Sequence, residues 1–352
     1  MIRPTRLRRP LRPGSVRRSV CPLGLLGLLG LLGLGLFHGG CAEAPLAGPQ
    51  TPAGPRAAAD DGDLWNLAPS NADALADVDL AALRASPWSR ALTSTGFAGD
   101  RDESRRVFGY DLFAEGARLV AVGTEAAGAQ RSLSIVRGRF DPARIGAAFL
   151  AATPGATAGH WRDSPLWEGR GRAVALVTPR TLAQGDPESV RGAIDAAWGI
   201  VPDASTGPLG VLRRALGADG KVPAAFVALS LTDAMRGRAA GTIELPPGLT
   251  TAAARLDLGD DLNLDLVAVL GNGSDAAAAA ATWNLALRAL AQQPMLRLLG
   301  LGPIIDGLAL GAEGARVHGH LRVPAERREG LADKLLAVLQ MVAGAAQGSR
   351  DK

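Results

Sequence analysis

Few side chains in this sequence are of a type and spacing that could do chemistry. His318 and His320 stand two apart in the stretch Arg316 to Val323. On an extended strand that spacing puts both imidazoles on one face, with Val317, Leu321 and Val323 on the other. Two same-face imidazoles can ligate zinc or copper, but a closed site needs further ligands. His160 is the one other histidine beyond the first forty residues. A solvated strand face is therefore preferred for His318 and His320, with metal ligation as the second reading. Asp257, Asp260, Asp261 and Asp265 gather carboxylates around one segment. Their spacing fits neither an EF-hand loop nor a glycine-aspartate repeat, and turn chemistry with a polar outer face explains all four. Gly271-Asn-Gly-Ser274 lacks the second glycine of a nucleophile elbow and suits a strand-to-helix cap. Gly300, Gly302 and Gly307 are irregularly spaced and punctuate a loop. A carboxylate pair for glycoside hydrolysis needs only spatial adjacency, yet Tyr110 is the sole tyrosine and the tryptophans fit core positions. The sequence predicts no enzyme, no catalytic residue and no cofactor.

The remaining chemistry is that of a thiol. The chain has two cysteines, Cys21 and Cys41, and none in its last 311 residues. Seven arginines and no acid occupy the first twenty residues, followed by an apolar run over 22–37 interrupted by five glycines. A positive flank, a short apolar core and small residues make the layout of an export signal. The core is short for a bilayer span, which needs about 20 apolar residues. Phe37-His38-Gly39-Gly40-Cys41 then resembles a lipobox, the signal of bacterial lipoproteins, with His38 where leucine is usual. That resemblance implies cleavage between Gly40 and Cys41, lipid attachment to the Cys41 thiol and a membrane held through that anchor. Several acyl chains hold firmly where a single one anchors only marginally. Ala42, after the cysteine, implies the outer membrane facing the periplasm by the sorting rule of that family. An uncleaved anchor, an ordinary secretory signal and a twin-arginine signal at Arg17-Arg18 stay open as alternatives.

Removing the signal changes the charge. The chain has 38 basic and 34 acidic residues, and subtracting the seven signal arginines leaves 31 against 34. A near-neutral body with interspersed signs lacks the clustered positive charge that displaces counterions from phosphates. Nucleic acid is excluded as a partner.

Such residues need elements to position them. Residues 42–63 are rich in Ala, Pro and Gly without apolar period, and bury too little to offset chain entropy. The expected division is a signal peptide over 1–40, a flexible tether over 41–63, and two related halves over 64–203 and 204–348. In the first half the pattern predicts a strand near 74–83, a short helix near 87–95, and strands near 107–113, 117–124 and 132–139. Asp141-Pro142 opens a helix with cap and first-turn proline, and Ile145 and Phe149 share its apolar face. Strands near 160–167, 173–178 and 181–184 lead to Asp186-Pro187, which repeats that start. In the second half a strand over 224–231 precedes an alternating hairpin over 256–266 that turns at Gly259-Asp260-Asp261. Ser274 is expected to cap an alanine-rich helix ending near Pro294. A hairpin over 307–312 and 315–323 meets a last helix with Leu331, Leu335, Val338, Leu339 and Val342 on one face.

Antiparallel strands interleaved with helices predict an α+β fold of two tandem related halves, each an antiparallel sheet with helices packed on it. This layout, with the phrase Gly138-Arg-Phe-Asp-Pro142, loosely resembles uncharacterised lipoproteins of high-GC bacteria, and the resemblance implies no particular activity. The strands over 119–122, 173–177 and 266–270 are apolar on both faces and must be covered on both. Sheet-on-sheet packing, helices on both faces, or an internal apolar cavity would each satisfy them. The function expected is a membrane-tethered envelope lipoprotein with a non-enzymatic interaction or structural role and an envelope protein as partner. The alternative is a periplasmic carrier of a lipid or other apolar ligand.

Overall fold

The computed structural model describes residues 62–86, 104–126, 129–217, 222–233, 235, 236, 245, 246 and 248–327. The fold is α+β. The strands are β1 (Ala74–Asp79), β2 (Gly116–Ala126), β3 (Ala129–Gly138), β4 (Thr157–Trp161), β5 (Ser164–Gly169), β6 (Arg172–Thr178), β7 (Thr181–Gly185), β8 (Ala225–Ser230), β9 (Thr251–Leu258), β10 (Leu262–Val269), β11 (Ala309–Glu313) and β12 (Arg316–Val323). They form one sheet in the order β11-β12-β10-β9-β8-β1-β2-β3-β7-β6-β5-β4, and every neighbouring pair is antiparallel. The two halves meet where β1 pairs with β8, Ala76 opposite Val227. Each half starts with a three-strand meander, crosses over through a helix, and returns so that its last strand pairs with the third strand of the meander. β7 pairs with β3 in the first half, and β12 with β10 in the second. The first half carries an extra hairpin, β4–β5, at its edge.

Helices cover both faces of this sheet, which answers the strands that are apolar on both sides. On one face lie a 3-10 turn (Leu64–Leu67), α4 (Pro187–Ala197) and α5 (Pro208–Leu216). Leu64, Trp65, Val190, Ile194, Leu209 and Leu212 pack there against Leu75, Val120, Ile135, Ala183 and Phe226. On the opposite face of the first half lie α1 (Leu80–Ala85), α2 (Leu112–Glu115) and α3 (Pro142–Ala152). Ile145 and Phe149, both fully buried, meet Leu119, Val136, Val174 and Leu182. The same face of the second half carries α6 (Gly273–Ala291), with α7 (Pro294–Leu298) and α8 (Gly302–Ile305) beside it. Ala276, Ala280 and Leu287 of α6 pack on Leu229, Leu266, Leu310 and Val317.

Local chemistry sets the element ends. Asp141 caps α3 by accepting from Ala143 N–H at 3.0 Å, with Pro142 at the first position. Asp186 is the corresponding residue before α4, but its carboxylate accepts from Ser132 N–H at 2.6 Å instead and ties the helix start to β3. Asn272, not Ser274, caps the alanine-rich α6 and accepts from Asp275 N–H at 2.9 Å. The Ser274 hydroxyl donates to the Asn272 side chain.

Three expected strands are corrected. The one over 74–83 ends at Asp79, whose carboxylate accepts from Ala82 N–H at 2.7 Å and starts α1. The one over 107–113 is helical over 104–108 and again in α2. Asp111 accepts from Phe113 and Ala114 N–H, while Glu115 accepts from Asp111 N–H at 2.8 Å. This reciprocal cap outweighs the apolar run that suggested a strand. The one over 160–167 is a hairpin, β4–β5, turning at Arg162 with φ +52°. The expected helices near 87–95 and after 327, the signal, Gly40, Cys41 and the tether up to residue 61 lie outside the described residues; the end of the expected tether is corrected, because Asp63 caps the 3-10 turn and pairs with Arg213.

Candidate functional site

β12 alternates buried and exposed along its length, so His318 and His320 share one exposed face while Val317 and Val323 are buried on the other. His320 Nδ1 lies 2.7 Å from Asp265 Oδ1 on β10, directly across the strand pair. His318 rests against Gly311 of β11, where a Cβ would stand 2.6 Å from its Nε2. The structure does not bring His160 to this pair, because β4 is the opposite edge of the sheet. Among the described residues no three metal-ligating side chains gather.

The hairpin carboxylates do not converge either. Asp257 accepts from Arg255 Nε at 2.9 Å. Asp261 accepts from Arg322 Nε at 2.6 Å and from Ala325 N–H at 3.0 Å. The Arg322 hydrogen bond holds the Asp261 carboxyl below the usual carboxylate range. Asp265 faces His320. Asp261 and Asp265 tie the β9–β10 hairpin to β12, whereas Asp257 pairs within its own strand, as turn and strand-face residues would.

One polar constellation is missing from the sequence reading. Asp77, in the middle of β1 and only 4% exposed, accepts from Trp65 Nε1 at 2.7 Å and from Arg118 Nε at 2.7 Å and Nη2 at 2.5 Å. Arg213 of α5 stacks on the Trp65 ring at 4.6 Å and pairs with Asp63. Burial of Arg118 works against its charge, but the Asp77 hydrogen bond and charge outweigh it and raise its pKa. Two arginines, two aspartates and an indole thus close a balanced cluster where the described chain begins. A buried carboxylate without partners would be prohibitively costly, so an aspartate inside the apolar stretch Ala74 to Val78 was the available signal. Its partners are distant in sequence. The cluster has no unbalanced group to offer a substrate, and its geometry is that of a clasp.

A small apolar cavity is present within the second half, not between the halves. It lies on the α6 face of β8, β9, β10 and β12, over Ala252, Ala254, Ala268 and Gly319, and beneath half-buried Trp283. Small side chains on adjacent strands leave the space. At the corresponding place in the first half, Phe113, Tyr110 and Phe149 fill the layer. The cavity measures about 40 Å³, whereas a dry cavity that accepts benzene is about 150 Å³.

No protein-family model and no curated protein matches this sequence. Among solved structures, crystal forms IV, III and I of TP0453 resemble the chain in overall fold. They share 13%, 14% and 12% identity at TM-scores of 0.45, 0.46 and 0.43. The matches cover 78% of this chain and 96%, 98% and 97% of the TP0453 chains. At this distance nothing about function passes from TP0453 to this chain.

Proposed function

We propose that this chain is a membrane-tethered lipoprotein of the cell envelope with a non-enzymatic interaction or structural role. The observation that carries the reading is Cys41 itself, a lone thiol directly after an arginine-flanked apolar run and two glycines. A structural cysteine needs a partner, and a reactive one needs a site; an acylation site needs only this position. The outer membrane facing the periplasm is the proposed location, from Ala42. The separation of His160, at the β4 edge of the sheet, from His318, His320 and the hairpin carboxylates supports a non-enzymatic role. Intact-mass spectrometry of membrane-extracted protein tests the anchor. The expected mass is that of residues 41–352 plus acyl chains, and it is lost in Cys41→Ser. An unmodified mass that includes residues 1–40 would leave an amino-terminal anchor in its place.

The second reading, a carrier of a lipid or other apolar molecule, is favoured by the lining of the cavity under Trp283 and opposed by its size. Titration with a fluorescent fatty acid separates the two. Saturable binding that Ala254→Leu abolishes would favour the carrier, and no saturable binding would favour the structural role.

A further inference from the structure

α4 and α6 both pack on the sheet, but they present different sides to water. Outside the core, α4 carries Glu188, Arg191 and Asp195, which pair with Arg131, Glu168 and Arg162. α6 is 19 residues long, and beyond its first turn its one charge is Arg288. Its other exposed positions there are Thr282, Leu285 and alanines. A helix on a protein surface ordinarily turns a polar and charged side to water.

The apolar surface continues past the helix end. Leu290 of α6 and Leu296 of α7 are buried in one cluster, which sets α7 beside the end of α6. Met295 and Leu298, three apart, share the outer side of that short turn. Leu298 and Leu285 are the two most exposed large apolar side chains among the described residues, at 88% and 67%, and Met295 is 48% exposed. Exposed leucines scattered singly are ordinary, whereas a group of them marks an interaction surface. The charge within this group has one sign. From Ala276 to Ile305 the sequence has no acid, and its only charges are the exposed Arg288 and Arg297. Asp306 after α8 and Asp260 in the β9–β10 turn, whose flanking Leu258 and Leu262 pack on the same cluster, stand at its border.

This pattern selects among occupants. A second copy meeting the patch about a two-fold axis would set arginines against arginines, because such a contact brings one surface onto itself. An anionic bilayer suits both parts at once: apolar side chains enter the boundary between headgroups and tails, while basic ones meet the phosphates. We infer that the α6–α7 corner is a direct contact with an anionic phospholipid surface, made by Leu285, Met295 and Leu298 with Arg288 and Arg297 at their flanks. The contact rests on the membrane placement proposed above but not on acylation of Cys41. A patch of three side chains is small, so it orients a body that a tether already holds at high local concentration.

The test therefore supplies a tether that does not depend on Cys41. The full chain with Cys21→Ser and Cys41→Ser is held by an amino-terminal polyhistidine tag on vesicles containing nickel-chelating lipid. Leu298→Cys is labelled with a polarity-sensitive fluorophore and compared with Val211→Cys, an exposed site on α5. In vesicles of phosphatidylcholine with phosphatidylglycerol, nitroxide-bearing lipid tails should quench the label at 298 at least about three-fold more than that at 211. Replacing phosphatidylglycerol by phosphatidylcholine, or introducing Arg288→Gln with Arg297→Gln, should cut the quenching at 298 at least about two-fold. Met295→Cys is the second position if the first variant does not fold, and should behave alike. Equal quenching at 298 and 211, or none at 298 and 295, would overturn the inference. So would quenching at 298 that ignores both the arginines and the lipid charge. A spectral shift at 298 without vesicles that grows with protein concentration would overturn it in favour of a second copy. Each of these results leaves the Cys41 anchor standing, and an unmodified Cys41 leaves this contact standing.

Discussion

β6–β7 and β11–β12 occupy the same place in their halves, yet they are built differently. β6 has four consecutive buried residues, and so has β7, because helices lie on both sides. β12 alternates, buried beneath α6 and exposed on the other face. Beneath α4 the central row uses Ala183 and Ala175; in the second half its counterparts are His318 and Gly311. Ion pairs follow the same division. Asp77 and Arg118, on the face roofed by α5 and the 3-10 turn, expose 4% and 15% of their side chains, whereas Asp265 and His320 expose 37% and 58%. The size and polarity of the residue at a sheet position therefore reflect what covers it more than its place in the repeat.

Substitutions on this one face sharpen the contrast. The largest effect is expected at Asp77. Asp77→Ala strands the Arg118 guanidinium and the Trp65 N–H without their acceptor, and loss of one partner of a buried pair costs about 3–5 kcal/mol. Urea unfolding should show that loss, while His320→Ala, at an exposed pair, should change stability by about 0–1 kcal/mol. Equal effects at the two sites would dissolve the contrast. Ile194→Ala removes the α4 side chain over the Ala183 row and should cost about 2–5 kcal/mol, with the thermal midpoint falling accordingly. On the opposite face the expected sign is reversed. Ala254→Val adds two methyl-sized groups beneath Trp283 and should stabilise by roughly 1.6 kcal/mol, at about 0.8 kcal/mol per buried carbon. A destabilised variant would mean that the layer is already closed there. The smallest effect concerns pH. Asp261 has its folded pKa lowered, so its contribution is present above the ordinary carboxylate range and fades as pH falls through the lowered folded value. Arg322→Ala should return the Asp261 titration, followed by NMR, toward the ordinary range, and wild type and variant should converge in stability in acid. An unchanged titration would remove Arg322 as its cause.

Much of the fold was legible because its signals are local. The two Asp-Pro helix starts, the alternating hairpin of β9 and β10, and the same-face histidines of β12 follow from period and capping alone. The α+β class and the tandem plan came from their order. The errors have local causes as well. Phe108, Tyr110, Leu112 and Phe113 suit a strand by composition, and only the Asp111–Glu115 reciprocal cap separates them from one. The β4–β5 hairpin was hidden because its turn places Arg162, not glycine, at positive φ. What could not be read was anything joining distant segments. The pairing of β1 with β8, and the clasp from Asp63 to Arg213, link residues about 150 apart, and neither leaves a periodic trace. The small void under Trp283 belongs to the same class, since it depends on three alanines and a glycine meeting on neighbouring strands.

The junction between β1 and β8 also has a consequence in time. During synthesis the amino-terminal sheet can complete every pairing from β1 to β7, but the outer side of β1 has no partner until β8 has emerged. For that interval its strand is a bare edge of Ala74, Leu75, Ala76, Asp77 and Val78, open to pairing with any extended chain nearby. Closing a loop of this length before the contact rewards it is slow. The sheet's midline, where β1 is paired on both sides in the finished molecule, is an open edge until β8 arrives.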